Sequence, residues 1–273
     1  FDTVIEMLSY PFMTRAFLVG SLVALCSALL GVSLVLKRYS MIGDGLSHVG
    51  FGAMAIAAAM NAAPLTVAIP VVIVAAILLL RISGNAKIKG DAAIALISTT
   101  SLAVGVMVIS LTTGMNTDVY NYMFGSILAM SADDVKLSLV LSVFVLILFI
   151  VFYHKIFAIT FDETFARATG VKAGVYNTLI AVLTAVTIVL GMRMMGALLI
   201  SSLIIFPALT SMRVCRTFKS VIINAAIVSV VCLIAGVTLS YVAATPAGAS
   251  VVLANLVMMV LYTVVGAVKN HMR

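Results

Sequence analysis

The sequence predicts an all-α fold, a polytopic transmembrane helix bundle of eight or nine membrane segments with one short helix at the cytoplasmic surface. Of the 273 residues, 64% are apolar and only 9% are charged, whereas a soluble domain carries roughly 25% charged residues. The apolar runs are about 17 to 25 residues long, the length of a helix that crosses ~30 Å of hydrocarbon. Strands of a membrane barrel would instead alternate over about ten residues. The spanning elements are therefore helices.

Nine apolar segments follow one another along the chain. In order they are 12–36, 43–60, 65–80, 92–111, 135–153, 175–190, 196–211, 221–242 and 249–268. Charged residues mark several ends: Lys37 follows the first segment, Arg81 the third, and Asp91 precedes the fourth. The seventh is short and contains Pro207, which predicts a broken or re-entrant helix. No repeat or linker divides the chain, so residues 1–273 are predicted to form one transmembrane domain.

The basic residues predict the orientation, because short cytoplasmic loops are enriched in Lys and Arg. The loops alternate between a set rich in basic residues and a set that carries Arg15, Lys136 and Arg193 only. The basic set comprises Lys37, Arg38, Arg81, Lys87, Lys89, Lys155, Arg167, Lys172, Arg213, Arg216, Lys219, Lys269 and Arg273. With nine segments the C-terminus lies inside and the N-terminus outside. The net charge of +7 therefore reflects topology, and nucleic-acid binding is not predicted.

Two polar stretches between the spans predict short, non-spanning helices. The outer one, residues 120–128, is too short and mixed to span and predicts an interfacial or re-entrant helix. The inner one, residues 161–171, has an acidic start, a small-residue middle and a terminal glycine at Gly170. This pattern is typical of a short capped helix.

Asp44 and His48 are an acidic residue and a histidine that fall together inside apolar sequence. An ionisable group in hydrocarbon costs about 2.5 kcal/mol or more unless it is paired, hydrated or bound to an ion. Four residues apart on a helix, both side chains project from one face. A carboxylate with an imidazole suits a divalent transition metal. The alternative is a structural pair in which Asp44 fixes the imidazole tautomer and nothing binds.

Five stretches resemble, in order, the integral-membrane permeases of the metal-uptake ABC transporters for zinc, manganese and iron. They are residues 37–48, 124–128, 161–170, 195–207 and 245–253. The resemblance covers nearly the whole chain and implies a multi-pass protein of the bacterial cell (inner or plasma) membrane. By the same resemblance Asp44 and His48 are the pathway ligands. The segment 161–171 is the coupling helix that docks on an ATPase, with Phe161, Asp162, Glu163, Ala166 and Gly170 as its residues.

The resemblance also implies the partners: a second copy of the permease, two cytoplasmic ATPase subunits, an extracytoplasmic metal-binding protein, and membrane lipid. The chain carries no GxxxxGK[ST] phosphate loop, so ATP acts only through the partner subunit and the chain is a transport subunit, not an enzyme. No cofactor is bound permanently, and the transported ion is Zn²⁺ or Mn²⁺, with zinc favoured by residues 195–199 and 245–248. The alternatives are an ion-gradient-driven secondary metal transporter, or an ABC permease for another metal or chelate.

Overall fold

The computed structural model describes residues 9–83, 90–112 and 132–271, and the elements in these ranges are helices. Eight are long and apolar enough to cross a membrane, and the 16-residue α9 is a shorter apolar helix. In chain order the helices are α1 Pro11–Leu36, α2 Ile42–Ala59, α3 Pro64–Ser83, α4 Gly90–Thr112, α5 Ala132–Val151, α6 Tyr153–Phe161, α7 Glu163–Ala168, α8 Ala173–Met195, α9 Ala197–Met212, α10 Phe218–Ala243 and α11 Ala247–His271.

The all-α class and the predicted spans are confirmed, with segment ends that agree within five residues. The predicted break at Pro207 was wrong, because α9 continues through this residue. Membrane helices tolerate an internal proline where neighbouring helices cover the freed carbonyl, and α9 is packed by α1, α8, α10 and α11. The predicted helix at 120–128 lies outside the described residues.

The inner polar stretch contains more helix than predicted. After α5 ends, the chain turns at Phe152 and forms α6, and Asp162 then separates α6 from the short α7. The predicted coupling helix over 161–171 is thus a six-residue helix with capped ends. Two short helices connect α5 to α8.

The bundle places α1, α2 and α8 at its centre, where they are the most buried spans. The helix α2 is enclosed by α3, α4, α8 and α9, and α1 packs against α8, α9 and α10. Gly31 allows the closest of these approaches, because a Cβ at this position would lie 2.1 Å from the backbone oxygen of Ile204 in α9. Close contact of backbones through small residues is how helices associate in membranes.

Candidate metal site and the short helix α7

Asp44 and His48 lie one turn apart near the start of α2. The distance from Asp44 Oδ2 to His48 Nε2 is 3.8 Å, and the side chains are 45% and 20% exposed. Asp44 is in the first turn, where the positive end of the helix dipole stabilises a carboxylate. Ser47, between them in sequence, is buried and donates a hydrogen bond of 2.7 Å to the Asp44 carbonyl. It faces the core, as its helical position predicts.

Asp44 and His48 are the accessible residues in an otherwise buried part of α2. From Ile42 to Ala55, every residue of α2 is buried except Asp44 and His48. The predicted ligands are therefore the part of this stretch that another molecule can reach.

The spacing of the pair suits a shared cation. Two ligands at about 2.1 Å from a tetrahedral Zn²⁺ lie roughly 3.3 Å apart, and a small change of rotamer brings the 3.8 Å pair to that distance. At 3.8 Å the two atoms are too far apart for a direct hydrogen bond. Within the described residues, no group of three or more His, Cys, Asp or Glu side chains could hold a metal. One chain thus offers two protein ligands.

A tight turn connects α1 to α2 and precedes the first turn of α2, in which Asp44 lies. The Tyr39 N–H donates to the Leu34 carbonyl at 2.8 Å and the Arg38 N–H donates to the Val35 carbonyl at 3.1 Å. Arg38 takes a left-handed φ of 62°. This is the Schellman closure of a helix, with arginine at the position that glycine usually occupies. Because glycine is missing, the sequence carried no signal for the turn.

The short helix α7 is closed at both ends by the predicted residues. The Asp162 carboxylate accepts a hydrogen bond of 2.8 Å from the Phe165 N–H, which caps the start. Gly170 has φ +85°, and the chain turns there toward α8. Ala166 is buried, whereas Phe161 and Phe165 are 59% and 66% exposed. α7 therefore rests on the bundle through Ala166 and presents the ring of Phe165 outward, next to the exposed Phe161 at the end of α6.

Glu163 binds three side chains from three helices or their ends. Its carboxylate accepts hydrogen bonds from Arg167 at 2.5 Å and from Asn177 of α8 at 3.0 Å, and it lies 3.7 Å from the Lys37 ammonium. Lys37 also donates to Asn177. Sequence reasoning identified Glu163 but missed Lys37 and Asn177, because their only signal is polarity at the end of a span.

The charges of this network shift the pKa values in a consistent way. Burial alone raises the pKa of Glu163, but the bonds from Asn177 and Arg167 and the charge of Lys37 outweigh it, so the pKa is lowered. Burial lowers the pKa of Lys37, and the Glu163 carboxylate offsets part of this effect. The Glu163 carboxylate and the Lys37 ammonium each favour the charged form of the other. The network ties α7 to the end of α1, seven residues before Asp44.

The comparisons with known proteins agree with this architecture. A family model described as the ABC 3 transport family matches residues 9–266. The high-affinity zinc uptake system membrane protein ZnuB of Haemophilus influenzae is 31% identical, over 90% of this chain and 94% of that protein. The manganese transport system membrane protein MntC of Halalkalibacterium halodurans is 28% identical, over 91% of this chain and 85% of that protein.

A solved structure is similar over almost the full length. PsaBC from Streptococcus pneumoniae in complex with Fab matches with a TM-score of 0.85 and 26% identity, covering 96% of this chain and 94% of that chain. Together with its eight apolar helices, the likeness makes this chain a multi-pass protein of the cell membrane. The chain belongs to the ABC 3 transport family, which confirms the resemblance to metal-uptake ABC permeases that the sequence carries.

Proposed function

We propose that this chain is the permease of an ATP-driven importer that moves a divalent transition metal, zinc first and manganese next, into the cytoplasm. The observation that carries the proposal is the open Asp44–His48 pair in the sealed stretch of α2. Relatives named for zinc and for manganese are similar at comparable identity, so the preference for zinc rests on the resemblance of residues 195–199 and 245–248 to zinc-type permeases. Two carboxylates and two imidazoles satisfy tetrahedral Zn²⁺ fully.

The second copy of the permease supplies the ligands that one chain lacks. The pair faces out of its own bundle, and a symmetric dimer brings two such pairs toward one axis. Four nitrogen and oxygen ligands then surround the ion, where one chain offers two. In this proposal an extracytoplasmic metal-binding protein delivers the ion to the pair.

ATP acts through α7. Two cytoplasmic ATPase subunits bind nucleotide, since the chain has no phosphate loop, and each contacts the exposed Phe161 and Phe165. Displacement of α7 reaches the metal site through Glu163 and Lys37. The site then opens to one side of the membrane at a time, with Zn²⁺ or Mn²⁺ as substrate and no resident cofactor.

The test is metal uptake by the intact complex with substitutions in α2. Asp44→Ala and His48→Ala are expected to lower the uptake rate by more than about tenfold, because each removes a ligand from both copies. Ser47→Ala is the matched control, since it alters the same turn on the buried face and is expected to leave uptake within about twofold. Unchanged uptake in both ligand variants refutes the site.

The choice of ion and of energy source has its own readouts. Elemental mass spectrometry of the complex, equilibrated with equimolar Zn²⁺ and Mn²⁺, is expected to find zinc in the wild type and little metal in the double variant. Bound manganese instead would support the site and refute the preference for zinc. Uptake by the permease alone in vesicles, driven by an imposed proton or sodium gradient, identifies a secondary transporter instead.

A further inference from the structure

A cavity of about 840 Å³ opens between α7 and the ends of α1, α3, α6 and α8. Its charged lining consists of three cations and one carboxylate, namely Lys37, Arg81, Arg167 and Glu163. Polar groups from Tyr39, Thr160, Asn177 and Thr178 and apolar groups from Leu80 and Ile159 complete most of the wall. The cavity is separate from Asp44 and His48, which do not line it.

Among the residues that the structure describes, the cations that line the cavity outnumber the carboxylates. Glu163 is already bound by Lys37, Arg167 and Asn177. Arg81 stands on the α3 wall, is exposed, and forms no ion pair or hydrogen bond within the described residues. The cavity therefore presents cationic donors to a ligand and has no spare carboxylate to repel an anion.

The cavity lies where the membrane spans end. Lys37 directly follows the span that ends at Leu36, and Arg81 is the penultimate residue of the span Pro64–Ile82. This is the level of lipid headgroups, on the side that the basic loops predict to be cytoplasmic. A basic pocket between membrane helices on that side favours an anionic headgroup.

An exposed apolar stripe leads along α3 to the same arginine. Val71, Val74 and Leu78 are 43%, 57% and 50% exposed, and with Arg81 they follow the i, i+3, i+7, i+10 spacing of one helix face. A lipid bound with its phosphate at Arg81 lays an acyl chain on this stripe. A soluble phosphate would use the cations alone and would not contact the stripe.

We propose that the cavity binds the headgroup of an anionic phospholipid, with Arg81 of α3 and Arg167 of α7 as donors and one acyl chain along α3. This binding is additional to metal transport and does not depend on it. The shared chemistry is a phosphate group. The stripe on α3 selects the lipid over free phosphate as its source.

Native mass spectrometry of the full-length permease in detergent tests the proposal. The probes are phosphatidylglycerol, phosphatidylcholine with the same acyl chains, and inorganic phosphate. Phosphatidylglycerol is expected to bind more tightly than phosphatidylcholine, and Arg81→Gln to weaken it about fivefold, whereas Arg81→Lys keeps the charge and most of the affinity. Arg216→Gln is the matched control, since it removes an exposed basic residue that does not line the cavity.

Each remaining outcome overturns the proposal. Equal affinity for the two lipids would show that the headgroup charge is not recognised. Wild-type affinity of the Arg81→Gln variant for phosphatidylglycerol would show that the lipid does not bind at this cavity. Displacement of phosphatidylglycerol by millimolar phosphate identifies a site for the free ion. If Arg81→Gln fails to elute as the wild type does, Arg167→Gln serves as the second variant, with the same fivefold loss expected. Metal uptake does not enter these readouts, so failure here is distinct from failure of the transport proposal.

Discussion

The ion pair between Lys37 and Glu163 is expected to stabilise the contact of α7 with the bundle, and a double-mutant cycle measures by how much. The single variants are Lys37→Met, which keeps the apolar stem, and Glu163→Gln, which keeps the shape and the possibility of the bond from Asn177. The double variant completes the cycle. The interaction energy is the part of the double variant's effect that the two single effects do not add up to.

The size of that energy follows from the distance and the burial. At the 3.7 Å between Lys37 Nζ and Glu163 Oε2, the attraction of two unit charges is about 1 kcal/mol in bulk water and about 4.5 kcal/mol at an effective dielectric constant of about 20. Lys37 is 11% exposed and Glu163 is 33% exposed, so the environment lies between these limits. We expect an interaction energy of about 2 kcal/mol.

The chain contains a matched control pair at nearly the same distance. Lys136 Nζ lies 3.6 Å from Asp133 Oδ1, but these side chains are 77% and 93% exposed. Water screens such a pair, and exposed pairs contribute little that can be measured. The free energy of unfolding of the purified permease in mixed micelles, from a denaturant titration, gives both cycles on one scale.

Two results would refute the reasoning. Additive effects of Lys37→Met and Glu163→Gln show that the pair contributes nothing beyond its separate members. An equally large interaction energy for Lys136 and Asp133 shows that distance alone, and not burial, sets the coupling. The first result would remove the energetic basis of the link from α7 to α1, and the second would refute the role of burial.

Three further outcomes are expected. Gly31→Ala should lower the free energy of unfolding by at least about 3 kcal/mol, because the added Cβ would lie 2.1 Å from the Ile204 backbone oxygen. Gly174→Ala is the control, since the space around Gly174 is open. It should change the free energy of unfolding by no more than about 1 kcal/mol in the same denaturant titration. The pKa of Glu163 is lowered in the folded protein. The difference in unfolding free energy between the wild type and Glu163→Gln should therefore be present above about pH 4.5 and disappear as the pH falls through the lowered pKa. A difference that grows with acidification would contradict this. Asp162→Ala should lower the free energy of unfolding by about 1 kcal/mol and speed hydrogen exchange at the Phe165 amide that Asp162 caps. Asp162→Asn should preserve the protection of this amide. Equal exchange rates in the two variants would mean that the cap is unimportant.

The features that the sequence could predict are the ones with local causes. The spans follow from hydropathy, since a helix must satisfy its own backbone in lipid. The common face of Asp44 and His48 follows from the helical period, and the start and end of α7 from Asp162 and Gly170. In each case a few neighbouring residues determine the outcome.

Two of the features that escaped prediction depend on distant parts of the chain. The bond of Lys37 to Asn177 joins residues 140 positions apart, and no local pattern selects this partner among the polar residues at span ends. Pro207 remains inside a helix because other helices pack around α9. The Schellman turn at Arg38 has no glycine, which is the residue by which such a turn is usually recognised in a sequence. Tertiary packing decides the first two, whereas the turn at Arg38 is closed by local backbone hydrogen bonds.

In the proposed mechanism, the route from α7 to the Asp44–His48 pair is short because a hydrogen-bonded turn joins α1 to α2. Lys37 holds Glu163 at one end of this turn, and Asp44 lies at the other end, in the first turn of α2. Two backbone hydrogen bonds close the turn, so a push on α7 cannot be absorbed by slack between the helices. Since α2 is buried on its other faces from Ile42 to Ala55, the movement left to it is a shift of the whole helix. In the proposed dimer, such a shift changes the separation of the two Asp44–His48 pairs, and therefore the number of protein ligands that the ion can keep at once.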